Sequence, residues 1–189
     1  MDLSPKIYQW IVRPNWYNRY FTHNVLAKEN IYHKRVLDFG CGVGSNCFLI
    51  KAENYLGVDI DKDRIEHARK QNPDYHFEIM KNVNFKKNSF EIILIIAVLH
   101  HIPNSEIKFL LKIFKKILKK SNGKILVIEP CYYKNKIFNN CFMNFFDKGK
   151  FIRNKDEYFS IFQSEDYRIN SYRKLNKILY KEIFYSASL

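Results

Sequence analysis

The feature that most limits what this chain can fold into is an apolar strand pattern running without a break into a bare glycine turn. It reads Val36-Leu37-Asp38-Phe39-Gly40-Cys41-Gly42-Val43-Gly44-Ser45-Asn46. Glycines at 40, 42 and 44 remove side chains where the backbone must turn tightly and approach a ligand closely. A helix expected over 45–51 would add unpaired N–H groups at the same place. In doubly wound sheets this edge, beyond the carboxyl ends of the strands, is where ligands bind. The spacing is G-x-G-x-G, not the dinucleotide G-x-G-x-x-G, because Ser45 stands where the third glycine would be, and this counts against a nicotinamide cofactor. No G-K-[ST] follows, which disfavours a phosphate-cradling loop.

The rest of the chain alternates in the same sense. Apolar runs rich in β-branched and aromatic residues occur at 35–39, 55–58, 90–98 and 124–128, with a weaker one at 75–80. Helical segments are expected at 62–71, stopped by Pro73, and at 105–120, ended by Asn122-Gly123. In the second of these, Ile107, Leu110, Leu111, Phe114, Ile117 and Leu118 form one apolar stripe opposite lysines, as a crossover helix covering a sheet requires. A helix around 155–163 and two further strands, 167–175 and 179–187, would close the sheet with an antiparallel hairpin. Continuous apolar strands alternating with helices predict an α/β fold with a doubly wound, mostly parallel sheet and helices on both faces.

At 189 residues there is room for one such domain. We expect a single unit over 1–189, with cap helices in 1–30 and an aromatic lid insertion at 131–153. The apolar run at 92–99 is far shorter than the ~20 residues of a membrane helix. No cleavable leader is visible at the N-terminus, so the expected location is the cytoplasm. Cys41, Cys47, Cys131 and Cys141 have no C-x-x-C spacing, which points to reduced thiols and no metal cluster. The formal charge of +13 is spread along the chain, apart from a concentration at 108–120, and reads as a solubilising surface.

Asp59 ends the second apolar run. A carboxylate there can accept hydrogen bonds from both hydroxyls of a ribose. Capping the helix at 62–71 is the alternative role, and Asp61 is an alternative ribose partner.

Taken together, V-L-D-F-G-C-G-V-G and L-G-V-D-I-D resemble the first two cofactor motifs of class I methyltransferases dependent on S-adenosylmethionine (SAM). Asn88-Ser89-Phe90-Glu91-Ile92-Ile93 resembles that family's s-F-D-x-V strand, Ala97-Val98-Leu99-His100-His101-Ile102 its v-L-h-H-i signature, and residues 123–130 its G-G-x-L-x-I-x-x-P strand. The resemblance implies a seven-stranded sheet with an antiparallel last strand. It also implies that Asp38, Gly40, Cys41, Gly42 and Gly44 meet the methionine end of SAM, that Asp59 meets its ribose, and that Ile60 packs on the adenine. Met80 and Ala97 complete the implied cofactor set. Many members carry an acidic residue after the third strand, where this chain has Ile79 and Met80, with Glu78 and Asn82 nearby.

The implied activity is methyl transfer from SAM, leaving S-adenosylhomocysteine (SAH), to a small-molecule acceptor at oxygen or nitrogen, a sugar or another biosynthetic intermediate. No metal is called for. In-line displacement mainly requires positioning of the acceptor, with a general base where it is a hydroxyl. His101 is the first candidate base, followed by His100 and Glu129. Aromatic residues at 8–20 and 132–146 are expected to wall the acceptor, and Arg13, Arg19 and Arg153 could read an anionic group on it. RNA or protein methylation, or a non-catalytic partner subunit with the same fold, are the alternatives. Nucleic acid is not the expected partner, because enzymes of nucleobase amines resemble an N-P-P-Y type tetrapeptide where this chain has Val98-Leu99-His100-His101.

Overall fold

A computed structural model describes residues 15–147, 149–177 and 181–189; the side chains of 15–19 and 146 lie outside the description. Helix α1 (Asn15–Leu26) leads into β1 (Val36–Phe39) and β2 (Tyr55–Asp59). Then come α2 (Lys62–Gln71), β3 (His76–Ile79), β4 (Ile92–Ile96), α3 (Asn104–Ile117) and β5 (Lys124–Tyr132). The chain closes through α4 (Ile137–Phe146), β6 (Arg153–Asn154), α5 (Lys155–Gln163), β7 (Arg168–Asn176) and β8 (Lys181–Ser188). The main sheet runs in the order β3-β2-β1-β4-β5-β8-β7, and the short β6 pairs with the end of β5. Strands β1 to β5 pair in parallel, whereas β8 lies antiparallel between β5 and β7. The expected class and the antiparallel last strand are therefore present.

The central strands read as unbroken apolar runs because they bury both faces. In β4, Ile93 and Ile95 join one core with Leu37, Phe39, Ile125 and Val127, while Ile92 and Leu94 join the other with Val36, Leu126 and Ile128. Helices α3 and α5 cover the first face through Ile107, Leu111, Phe114 and Ile117, and through Tyr158, Ile161 and Phe162. Each such side chain contributes about 1.5–3 kcal/mol by leaving water. On the second face lie Val25 and Leu26 of α1 with Ile65 and Ala68 of α2. No helix among the described residues is long and apolar enough to cross a membrane.

Two expectations are corrected. Residues 45–51 form no α-helix: between β1 and β2 the chain makes only single 3₁₀ turns at Cys47–Leu49 and Ala52–Asn54. Ser, Asn, Cys and Phe are weak helix formers. The segment is pinned instead by Lys51 N–H to the Tyr32 carbonyl (2.9 Å) and by the Tyr75 hydroxyl to the Ile50 carbonyl (3.3 Å). Strand β5 also continues past Ile128 through Glu129 and Pro130 to Tyr132, because β8 and β6 pair with that extension.

Candidate active site

The glycine turn stands at the carboxyl end of β1. Gly40, Gly42 and Gly44 have φ of 74°, 55° and 77°, a region L side chains avoid. At Gly40 a Cβ would also lie 2.5 Å from Val98 Cγ2, so that position is closed by sterics as well as by φ. The Gly40 and Cys41 N–H groups donate to the Val58 carbonyl at 2.8 and 3.0 Å, which lays the turn across the end of β2. Nothing lies within 4 Å of a Cβ built on Gly42, so bare backbone faces open space there.

Asp59 holds that backbone in place. Its Oδ2 accepts from the Gly42 N–H and its Oδ1 from the Asp61 N–H, both at 2.9 Å. A carboxylate offers about four acceptor sites, so two remain for a diol. The helix cap belongs to Asp61, which accepts from the Asp63 and Arg64 N–H groups and pairs with Arg64. Ile60 beside it is 80% exposed, an apolar shelf left uncovered. Met80 is half-buried and opens the 3₁₀ turn after β3. Glu78 and Asn82 bond to one another, and Glu78 also holds Arg69.

Asp38 is buried and accepts from the Tyr55 hydroxyl at 2.8 Å. Burial pushes its carboxyl up to about 7 against the pull of that hydrogen bond, and the Asp59 charge adds to the rise. Burial, then the charges of Asp38 and Asp59, likewise push the Cys41 thiol well up, which makes it an inert wall group. Gly57 makes room for this arrangement, since a Cβ there would lie 2.8 Å from the Tyr55 hydroxyl. Tyr55 and Gly57 were not singled out from the sequence.

Beyond β4 the chain leaves the sheet through Ala97, in the left-handed region at φ 55°, with its N–H on the Ile128 carbonyl at 2.8 Å. The following turn is built around Glu129. The Glu129 carboxylate is fully buried and accepts from the N–H groups of Val98 (2.7 Å), Leu99 (2.7 Å) and His100 (3.2 Å), and from His100 Nδ1 (2.7 Å). A carboxylate so engaged positions a turn; its geometry does not offer it to a substrate proton. His100 is buried as well, with Asp147 on its other ring nitrogen, Nε2 to Oδ1 at 3.4 Å. Burial alone would push this imidazole down, but Asp147 and Glu129 outweigh it and raise it to about 9. His101 is exposed, with its ring centroid 4.0 Å from that of His100. Burial and then the His100 charge hold it below the ordinary histidine value.

Asp147 and residues 149–153 close over this turn. Phe151 donates its N–H to the His100 carbonyl at 2.9 Å, and Gly149 packs so tightly on His100 that a Cβ would lie 2.0 Å from its Cδ2. Arg153 is buried and corrects an expectation. Its guanidinium bonds the carbonyls of Leu99, Phe151 and Ile102 and the Asn104 side chain at 2.7–2.9 Å, so it braces the turn and is not presented to an acceptor. Asp147 and Gly149 carry no local pattern that marks them, because their partners lie nearly fifty residues away in the chain.

Tyr132 and Tyr133 line a groove of about 520 Å³ with Asn140, Asn144, Cys141 and Asn154. The expected aromatic wall is only partly present, since Phe138 and Phe145 are 74% and 77% exposed and turn outward. Tyr8, Trp10 and Arg13, and the side chains of Trp16, Tyr17, Arg19 and Phe146, lie outside the described residues. A second groove, about 620 Å³, shares the two tyrosines and is flanked by Lys134, Lys136, Lys155, Lys174 and Lys181.

Residues 17–168 match the methyltransferase domain family. Ribosomal RNA small subunit methyltransferase A of Mycoplasmopsis synoviae is 35% identical over 106 residues, 53% of this chain and 40% of that protein. The chain spans about half or less of the curated relatives it matches. Among solved structures, a SAM-dependent methyltransferase from Aquifex aeolicus superposes over the whole of both chains with a TM-score of 0.70 at 17% identity. Magnesium protoporphyrin IX methyltransferase from Synechocystis PCC 6803, solved with bound SAH, also gives 0.70, at 16% identity over 99% of this chain and 89% of that one.

Proposed function

Because this chain belongs to the methyltransferase domain family and carries its SAM-dependent class I fold, we propose that it transfers the methyl group of SAM to a small-molecule acceptor, at oxygen or nitrogen, held beside the 98–101 turn. The cofactor site fits the group. Bare backbone at Gly42 facing open space, the half-used carboxylate of Asp59 and the uncovered Ile60 are what a nucleoside with a charged amino-acid tail requires. Asp59 would hold the ribose, Ile60 and Met80 the adenine, Ala97 the adjoining wall, and Asp38 with the turn from Gly40 to Gly44, including Cys41, the methionine end. When bound, SAM supplies an activated methyl carbon that needs no covalent enzyme intermediate.

What this chain adds is position. Glu129 holds N–H groups of the 98–102 turn and Arg153 its carbonyls, and His101, held below the ordinary histidine value by burial and the His100 charge, is the exposed group on it, able to take a proton from an acceptor hydroxyl. The observation that supports a small acceptor is the return of Asp147 and residues 149–153 onto His100, which covers the turn that carries His101. One observation favours a second reading, RNA as acceptor: five lysines flank the neighbouring groove.

Methyl-labelled SAM incubated with the enzyme and either a low-molecular-mass cell extract or total RNA separates the two. Label entering only the extract supports the proposal. Label entering only RNA, with incorporation that falls steeply with salt, replaces it by the second reading.

A further inference from the structure

We propose that His100, His101 and Asp147 form a divalent metal site of the zinc class, with Glu129 as its outer-sphere anchor, a site separate from the cofactor contacts. One potential ligand atom from each of the three residues lies within 4.8 Å of the others. The two sides of the His100 ring differ in a telling way. Towards Glu129, Nδ1 closes to 2.7 Å, the length of a charge-assisted hydrogen bond. Towards Asp147, Nε2 stops at 3.4 Å, longer than such a bond. Two ligands about 2.1 Å from a tetrahedral ion stand about 3.4 Å apart. The Nε2–Oδ1 separation is thus also that of two ligands on one tetrahedral ion.

The side chains of His100, Glu129 and Asp147 are 2%, 0% and 4% exposed, so this part of the cluster stands away from bulk water. The supporting shell is also in place. Metal-bound histidines characteristically donate their other ring N–H to a carboxylate, as His100 Nδ1 does to Glu129. The Gly149 N–H holds Asp147 Oδ1 at 2.8 Å, and only a glycine there clears the His100 ring. His101 completes a His₂Asp set, which suits zinc and leaves a fourth position for water; with the ion bound, that water rather than the His101 ring is the group that takes up the acceptor proton.

The test is a titration of untagged, chelator-stripped protein with Co²⁺, followed in the visible region, with Zn²⁺ as displacer. We expect one equivalent bound with the absorption of a low-coordinate site and loss of that signal on Zn²⁺ addition. His101→Ala and Asp147→Asn should each weaken binding at least about tenfold, and Glu129→Gln about 10–100-fold. Circular dichroism confirms that each variant is folded; His101→Ala, at an exposed position, decides the matter should Asp147→Asn unfold. Absence of stoichiometric uptake, or uptake that His101→Ala leaves unchanged, overturns the site and leaves His100 holding a proton between the two acids. SAM binding is not an element of this readout, so either reading can fail without the other.

Discussion

Glu129→Gln is the perturbation that most sharply tests how the acceptor-side turn is held. The substitution keeps volume and leaves no cavity, so its cost reports the hydrogen bonds and the buried charge, not packing. The carboxylate accepts from three backbone N–H groups and from His100 Nδ1, at 2.7–3.2 Å, with no exposure to water. A glutamine can keep its carbonyl on Val98 and Leu99, but its amide then meets the His100 N–H, donor against donor. Leaving one buried N–H unsatisfied costs about 1–3 kcal/mol, and bonds to a charged acceptor weaken by roughly 1 kcal/mol each when the charge is removed. Relief of the buried charge offsets part of this. A net loss of about 3 kcal/mol is expected, which for a chain of this size lowers Tm by roughly 6–12 °C. Urea unfolding should show a lower midpoint with unchanged slope. A variant within about 0.5 kcal/mol of the parent would refute the anchoring role of this carboxylate.

Three further outcomes follow from the same geometry. If Asp38 meets the cationic methionine end as proposed, its carboxyl, pushed up to about 7 by burial, has to ionise for binding, so affinity for SAH should fall about tenfold per pH unit below 7 and level off above it; a flat calorimetric profile between pH 6 and 8 would contradict this. Gly40→Ala should destabilise more than Gly42→Ala. Both bear the left-handed cost of about 1–2 kcal/mol, but only at residue 40 does the new Cβ also strike Val98, and equal denaturation midpoints would remove the steric argument. His101→Ala should lower kcat about 10²-fold or more with SAH affinity unchanged if the acceptor is a hydroxyl, whereas full turnover takes His101 out of the chemistry.

The turn and carboxylate proposed for the cofactor were legible because their signals are local. The β1 run, the glycine turn and Asp59 lie within a couple of dozen residues, and the bonds between them follow from parallel pairing of β1 with β2. The doubled alternation of β4 made its burial on both faces readable in the same way. Residues 45–51 misled because a glycine turn is so often followed by a helix, whereas here contacts to Tyr32 and Tyr75 from outside the segment fix it as turns. The roof over His100 was hidden for the opposite reason. Asp147, Gly149 and Arg153 act on partners around residue 100, and Arg153, read as a ligand-facing cation, is consumed by carbonyls that only the folded chain brings to it. Insertion of β8 between β5 and β7 is likewise a pairing choice over long range, although both strands were expected from the sequence.

Calorimetric titration of the protein and of Asp59→Ala with SAH goes most directly to the account as a whole. The parent should bind one equivalent at micromolar order, about 8 kcal/mol, with no heat from NAD or NADP, and Asp59→Ala should bind at least about tenfold more weakly. Failure of the parent to bind, or equal binding by the folded variant, would contradict the assignment of the β1 turn and Asp59 as the cofactor cradle.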